Sequence, residues 1–191
     1  MKPIIFVLGK PGCGKGTVCA YLSAHMRVQH FSAGELLRKE AADPNSPDGR
    51  LIQEDMLAGR IVKPEITVML LKKAMQSSDA DGFLIDGFPR EPEQFEYFRK
   101  VFGERNCSLM HLECPDEECI ARVKGRKQGR SDDNDKTLKA RLENFNQQTL
   151  KVIKYFTDLG KAVAVNSNQG KDAMCAEAEE RLAKYLGWKA E

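Results

Sequence analysis

The chain has 191 residues, 30 of them basic and 28 acidic, for a formal net charge of +2, with 41% hydrophobic and 30% charged residues. That length predicts one domain able to bury a core, and the near balance of charge excludes a surface organised around nucleic acid or an anionic membrane. No apolar run approaches the roughly 20 residues that a membrane span needs, so a protein working without a membrane is expected.

The first element is expected at once. Ile4-Ile5-Phe6-Val7-Leu8 reads as a buried strand, and it runs into Gly9-Lys10-Pro11-Gly12-Cys13-Gly14-Lys15-Gly16-Thr17. A glycine-rich turn between a strand and a helix lets successive backbone N–H groups converge on an anion, at the positive end of the helix that follows. Lys15 then reaches the outer phosphates as a flexible point charge, and Thr17 can offer its hydroxyl to Mg²⁺. In the strict pattern a Ser or Thr follows the lysine directly, whereas here Gly16 intervenes. Because the strand starts within a few residues of Met1, no leader is expected ahead of it. The six cysteines, Cys13, Cys19, Cys107, Cys114, Cys119 and Cys175, form no Cys-x-x-Cys pair and point to reduced thiols in a cytoplasmic protein. Cys13, inside the turn, is a candidate for a lowered thiol pKa.

Helix is predicted from about residue 16 to 26, with Val18, Leu22 and Met26 toward the sheet, then a short strand over 28–31. Ser32 and Glu35 form a capping box that opens a helix through Ala42. A turn at 43–48 leads to a helix over about 51–58 that Gly59 stops, and another runs from Pro64 to Ala74 with Ile66, Met69, Leu70 and Met75 as its apolar set. Gly82 to Ile85 is a strand that leads directly into Asp86-Gly87-Phe88-Pro89-Arg90, and charged groups at the carboxyl end of such a strand lie where open α/β sheets bind ligands. A helix over 92–102, a strand over 108–113 and a helix over 116–123 follow. Residues 124–134 contain no apolar side chain and are expected to be a mobile lid. One long helix is predicted from Asp135 to Leu159, then a strand over 162–165 and a helix over 172–186. Strands alternating with helices imply an α/β fold with a five-stranded parallel sheet covered on both faces.

Joining two polyanions requires charge neutralisation, alignment and exclusion of water more than covalent chemistry. Arginine suits this because its planar guanidinium bridges two oxygens. Lys15, Arg38, Arg90, Arg122, Arg126, Arg130 and Arg141 stand where such a role would need them.

Five segments, taken in order, carry a resemblance: residues 6–17, Phe-Ser-Ala-Gly-Glu-Leu-Leu-Arg at 31–38, Gly-x-Ile-Val at 59–62, Phe-Leu-Ile-Asp-Gly-Phe-Pro-Arg at 83–90 and Gly-Arg-Ser-Asp-Asp-Asn at 129–134. They resemble the signatures of the adenylate kinase and UMP-CMP kinase family across almost the whole chain. The resemblance implies a P-loop NTPase fold and a single nucleoside monophosphate kinase domain. Its core would be 1–31, 63–123 and 135–191, with an acceptor-binding insert at 32–62 and a short lid at 124–134. It implies transfer of the γ-phosphoryl group of MgATP to a nucleoside monophosphate by a monomer, with no nucleic-acid partner. ATP would lie on Gly12, Cys13, Gly14, Lys15, Gly16, Thr17, Arg122 and the Asn168-Gln169-Gly170 loop. The acceptor would lie on Ala33, Gly34, Arg38, Ile61, Val62, Gly87, Arg90 and Gln94, with Arg130 and Arg141 bridging both substrates. Lys15, Arg90, Arg122, Arg130 and Arg141 would be the catalytic set. Asp86 would hold Mg²⁺ through water, and Asp132 and Asp133 would orient the lid arginines. The lid lacks the four cysteines of zinc-bearing relatives, so no structural zinc is implied there.

Lys10 stands where the family often has glycine, and the lid is about two residues short, which leaves Lys124 and Arg126 both open for its remaining role. Ala33, residues 59–67, residues 130–134 and Phe-Asn-x-Gln-Thr at 145–149 resemble the UMP-CMP kinases. Gln94 instead matches the adenylate kinases, which use glutamine on adenine where the others have asparagine. A pyrimidine acceptor is favoured, with AMP as the alternative. A P-loop switch without turnover is a different-class alternative, against which both acceptor arginines stand.

Overall fold

A computed structural model describes residues 2–103, 106–125 and 134–187. Five strands, β1 (Ile4–Leu8), β2 (Val28–Ser32), β3 (Gly82–Asp86), β4 (Cys107–Glu113) and β5 (Ala162–Asn166), form one parallel sheet in the order β2-β3-β1-β4-β5. β1 is central, with Ile4 opposite both Phe83 and Cys107. All five of its side chains are buried, which is why it is an uninterrupted apolar run.

Alternation along β1 separates two cores. Ile4, Phe6 and Leu8 face one layer, formed by α4 (Pro64–Gln76), α5 (Pro92–Phe102) and α8 (Leu150–Asp158). There Phe6 meets Phe88, Phe95, Phe98 and Phe156 edge-on at centroid distances of 5.3 to 5.9 Å. Ile5 and Val7 face α1 (Lys15–His25) and α9 (Lys171–Leu186) on the other side. A third, smaller core of Leu37, Ile52 and Val62 joins α2 (Ala33–Ala42), α3 (Gly49–Ala58) and the start of α4.

Several boundaries differ from the sequence expectation. Met26 lies beyond the end of α1, and α3 begins two residues earlier, at Gly49. α4 extends to Gln76 and buries Thr67, Val68, Leu71 and Met75, while Met69 is 50% exposed. Ile66 and Leu70 pack instead on the small third core, so the apolar residues of α4 serve two neighbours. The predicted long helix is interrupted: α7 (Asp135–Asn144) passes through a π turn at Phe145–Thr149 into α8. Leu159 lies past the last turn of α8 and is 51% exposed. α6 (Asp116–Lys124) carries three acids in its first turn and Arg122 in its last, as the helix dipole favours.

Candidate active site

The carboxyl ends of β1, β2 and β3 open into one cavity of about 880 Å³. β1 delivers the glycine-rich turn there, and its shape depends on close contact with α6. Gly12 has φ +87°, and a Cβ at that position would collide with the Cys119 carbonyl oxygen. Lys15 opens α1 and folds back across the turn. Its Nζ donates to Gly9 O at 2.9 Å and Lys10 O at 3.0 Å and approaches Cys13 Sγ at 3.6 Å. A positive charge is thereby centred in a ring of backbone groups at a helix N-terminus, an arrangement suited to phosphate oxygens. Gly16 and Thr17 lie in the first turn of α1 and line the cavity with Gly12, Gly14 and Lys15.

Cys13 does not line that cavity. Its side chain is fully buried in the α1 core, and burial pushes the thiol above its ordinary pKa although Lys15 pulls the other way. The expected activated thiol is therefore corrected: desolvation outweighs the neighbouring charge.

Asp86 ends β3, and its side chain is 12% exposed. Burial alone would raise its carboxyl, but His30, Lys15 and Arg90 outweigh that and hold it below the ordinary carboxylate range. It is an ionised acid beside the phosphate-binding turn. It and Thr17 are oxygen donors on one cavity, a set that fits a hard cation such as Mg²⁺.

The opposite side is built by α2, α3 and the turn after β3. Ser32 caps α2 by accepting from Glu35 N, and Ala33 and Gly34 of the first turn and Arg38 of the second line the cavity. Arg38 pairs with Glu35 at 2.7 Å. Arg90 follows a cis Phe88–Pro89 peptide and donates from Nε to Gly87 O at 2.8 Å. Gln94 is 2% exposed and joins two segments, accepting from Arg90 N at 2.9 Å and donating to Val62 O at 3.0 Å. Ile61, Val62, Gly87 and Arg141 line the same side.

A third group closes the glycine-rich side. Arg122 donates from Nε to Glu118 and from Nη1 to Ser167 O at 3.0 Å, and Ser167 in turn donates to the Cys13 carbonyl. α6, the turn after β5 and the glycine-rich turn are thus tied together. Two cationic sides facing each other across one cavity, Lys15 on one and Arg38, Arg90 and Arg141 on the other, are an arrangement that can align two anionic molecules.

The adenylate kinase family model matches residues 7–161. UMP-CMP kinase 3 of Arabidopsis thaliana is 43% identical, with 93% of this chain and 88% of the relative covered. UMP-CMP kinase 2 of Caenorhabditis elegans is 41% identical over 94% of this chain and 96% of the relative. Human UMP-CMP kinase is 38% identical over 96% and 99%. The chain belongs to the adenylate kinase family. It is a nucleoside monophosphate kinase, an enzyme that moves a phosphoryl group from ATP to a nucleoside monophosphate.

Not every residue expected at the site of this kinase lines the cavity. Gln169 does, whereas Asn168 and Gly170 do not. Asn168 N is held by Asn166 Oδ1, and Gly170 caps α9. Arg126, Arg130, Asp132 and Asp133 lie outside the described residues. On either side of residues 126–133, Lys124 pairs with Asp135 at 3.2 Å, and Asn134 caps α7 by accepting from Thr137 N. Sequence reasoning passed over Ser167, His30 and Thr149. Ser167 stands next to a flagged loop at the end of a strand, which was a usable signal. His30 carried none, because its place depends on strand register; Thr149 ended the Phe-Asn-x-Gln-Thr segment at 145–149, but its reach to Arg90 O depends on the π turn.

Proposed function

We propose that this kinase transfers the γ-phosphoryl group of MgATP reversibly to UMP or CMP, giving ADP and the nucleoside diphosphate. The observation that carries the reading is the single cavity with Lys15 and the glycine-rich turn on one side and Arg38, Arg90 and Arg141 on the other. ATP lies on Gly12 to Thr17, with Arg122 and Gln169 toward its base. The acceptor phosphate lies between Arg38 and Arg90. Arg141 and the lid residue Arg130 neutralise the bridging charge, with Asp132 and Asp133 orienting the lid. Asp86, through water, and Thr17 would hold Mg²⁺, which would supply charge neutralisation on the donor phosphates. The chain works as a monomeric single domain in which the insert at 32–62 and the lid at 124–134 close over the substrates and exclude water.

The pyrimidine preference rests on the relatives named UMP-CMP kinases and on the resemblance of Ala33 and residues 59–67, 130–134 and 145–149 to that group, with Gln94 standing against it. With its carbonyl on Arg90 N and one amide hydrogen on Val62 O, Gln94 retains one donor and one lone pair for a base edge. Uracil, cytosine and adenine each offer one donor beside one acceptor, so this pairing alone does not select among them. Glutamine at this place is also what favours the AMP reading. Initial velocities with MgATP against AMP, UMP, CMP and dCMP, repeated for Gln94→Asn, decide between them. UMP and CMP are expected to be the fastest acceptors. If AMP is fastest and Gln94→Asn weakens it, the acceptor is adenylate.

A further inference from the structure

Beside the cavity, three potential ligands converge from three elements. β2 places His30 opposite Leu84 of β3, and Asp86 follows Leu84 by two residues on the same face. That face is the one covered by α1, whose Cys19 is fully buried against it. Cys19 Sγ, a His30 ring nitrogen and an Asp86 oxygen all lie within 4.8 Å of one another. His30 Nε2 stands 3.7 Å from Asp86 Oδ2, too far for a hydrogen bond. That nitrogen is shut off from solvent and has no hydrogen-bond partner. An orphaned imidazole nitrogen between a thiol and a carboxylate needs a reason.

We propose that Cys19, His30 and Asp86 form a binding site for a thiophilic divalent ion, Zn²⁺ being the best match, distinct from the Mg²⁺ that accompanies ATP. Thiolate, imidazole and carboxylate together are a zinc donor set, whereas Mg²⁺ takes oxygen ligands and retains its water. Bonds of about 2.0–2.3 Å in a tetrahedron place donors roughly 3.4–3.7 Å apart, so the cluster has to contract by at most about 1.4 Å. His30 and Asp86 both line the cavity, which gives the ion an entry path. Binding expels the Cys19 proton, so one proton leaves per ion bound. Burial and the Asp86 charge keep that thiol protonated otherwise, and the ion reverses both effects. Because the ion takes the Asp86 carboxylate, it inhibits MgATP turnover, a consequence that rests on the role proposed above for Asp86.

The test uses the full chain without nucleotide. Co²⁺ titration is expected to give a thiolate-to-cobalt charge-transfer band and the intense visible bands of a four-coordinate ion, both erased by Zn²⁺. Cys19→Ala abolishes the charge-transfer band, and His30→Gln weakens Co²⁺ binding by about 100-fold, no less than loss of a supporting partner does at metal sites. In turnover assays with excess MgATP, low Zn²⁺ inhibits the parent enzyme and EDTA reverses it, while Cys19→Ala keeps its turnover and resists Zn²⁺. A charge-transfer band that survives in Cys19→Ala, or no such band at saturating Co²⁺, overturns the site. Zn²⁺ inhibition equal in parent and Cys19→Ala assigns the effect to zinc–nucleotide complexes and likewise overturns it. A thiolate band without loss of turnover leaves the site standing and overturns instead the role given to Asp86.

Discussion

Arg90 is fixed on three sides by groups of its own chain. Its Nε is on Gly87 O, its backbone N–H is on Gln94 and its carbonyl accepts from Thr149 Oγ1 at 2.7 Å. A guanidinium positioned in this way does not have to be ordered by the substrate, so in the role proposed for Arg90 its contribution would fall on the reacting phosphates. Arg90→Ala is expected to lower kcat/KM by about 10²–10³ while leaving ATP affinity within about twofold, measured by steady-state kinetics and calorimetric titration. Arg90→Lys should recover little of the loss, because a point charge cannot bridge two oxygens. His111 offers a different test. Burial pushes its imidazole below its ordinary 6.5, with Lys10 and Lys15 adding to the shift and Glu113 opposing it. The native state therefore binds fewer protons than the unfolded chain just below that pH, and stability falls as pH drops from about 6.5. His111→Gln is expected to flatten the dependence of the thermal midpoint between about pH 7 and about pH 5, read by a melting series in matched buffers. An unchanged slope would remove His111 as its source. At this scale the sequence was legible where a place on the cavity depends on neighbours in the chain, as for Lys15, Arg38 and Arg90, all of which line it. It was not legible at Cys13, where the same turn that suggested activation faces its thiol into the core.

The π turn at Phe145–Thr149 is the element that apolar periodicity could not show. Leu138, Phe145, Val152 and Phe156 are consistent with one continuous helix, and a single widened turn leaves those spacings readable as such. Its effect is local and specific. Phe145 and Thr149 are both buried, Phe145 lies in a stacked arrangement with His111 at 6.3 Å, and the Thr149 hydroxyl reaches Arg90 O. Thr149→Val keeps the shape and leaves a buried carbonyl without that donor. It is expected to cost about 1–2 kcal/mol in chemical denaturation and to raise the acceptor KM, with little change in affinity for ATP. Equal effects on both substrates would break the link between the π turn and the acceptor side. The strands, by contrast, were readable as elements because β1, β3 and β4 are buried apolar runs with turn residues at their ends. Their order in the sheet was not, since that depends on which crossovers pack together.

Across the whole molecule, the acceptor side is joined to the rest through α7 as well as through the sheet. Thr137 Oγ1 donates to Leu57 O at 2.6 Å, and Asn144 Nδ2 donates to Gly59 O at 2.8 Å. Gly59 itself, at φ +71°, approaches so closely that a Cβ there would stand 2.9 Å from both Ala140 Cβ and Thr137 O. The segment that carries the small core of Leu37, Ile52 and Val62 is thereby tied to α7, and one cavity reaches from that segment to the glycine-rich turn. If the two halves hold ATP and the acceptor at once, a single molecule joining adenosine to uridine through a polyphosphate chain occupies both and makes the second binding event intramolecular. Such a ligand is expected to bind at least about 100-fold more tightly than ATP or UMP alone, and so to raise the thermal midpoint further than both supplied together at the same concentration. Arg38→Ala should remove most of that advantage while sparing ATP, because it leaves the donor half intact. A linked ligand no tighter than ATP, with Arg38→Ala indifferent to it, would mean that the two halves of the cavity do not act as one site. The arrangement of Lys15 opposite Arg38, Arg90 and Arg141 would then need another explanation.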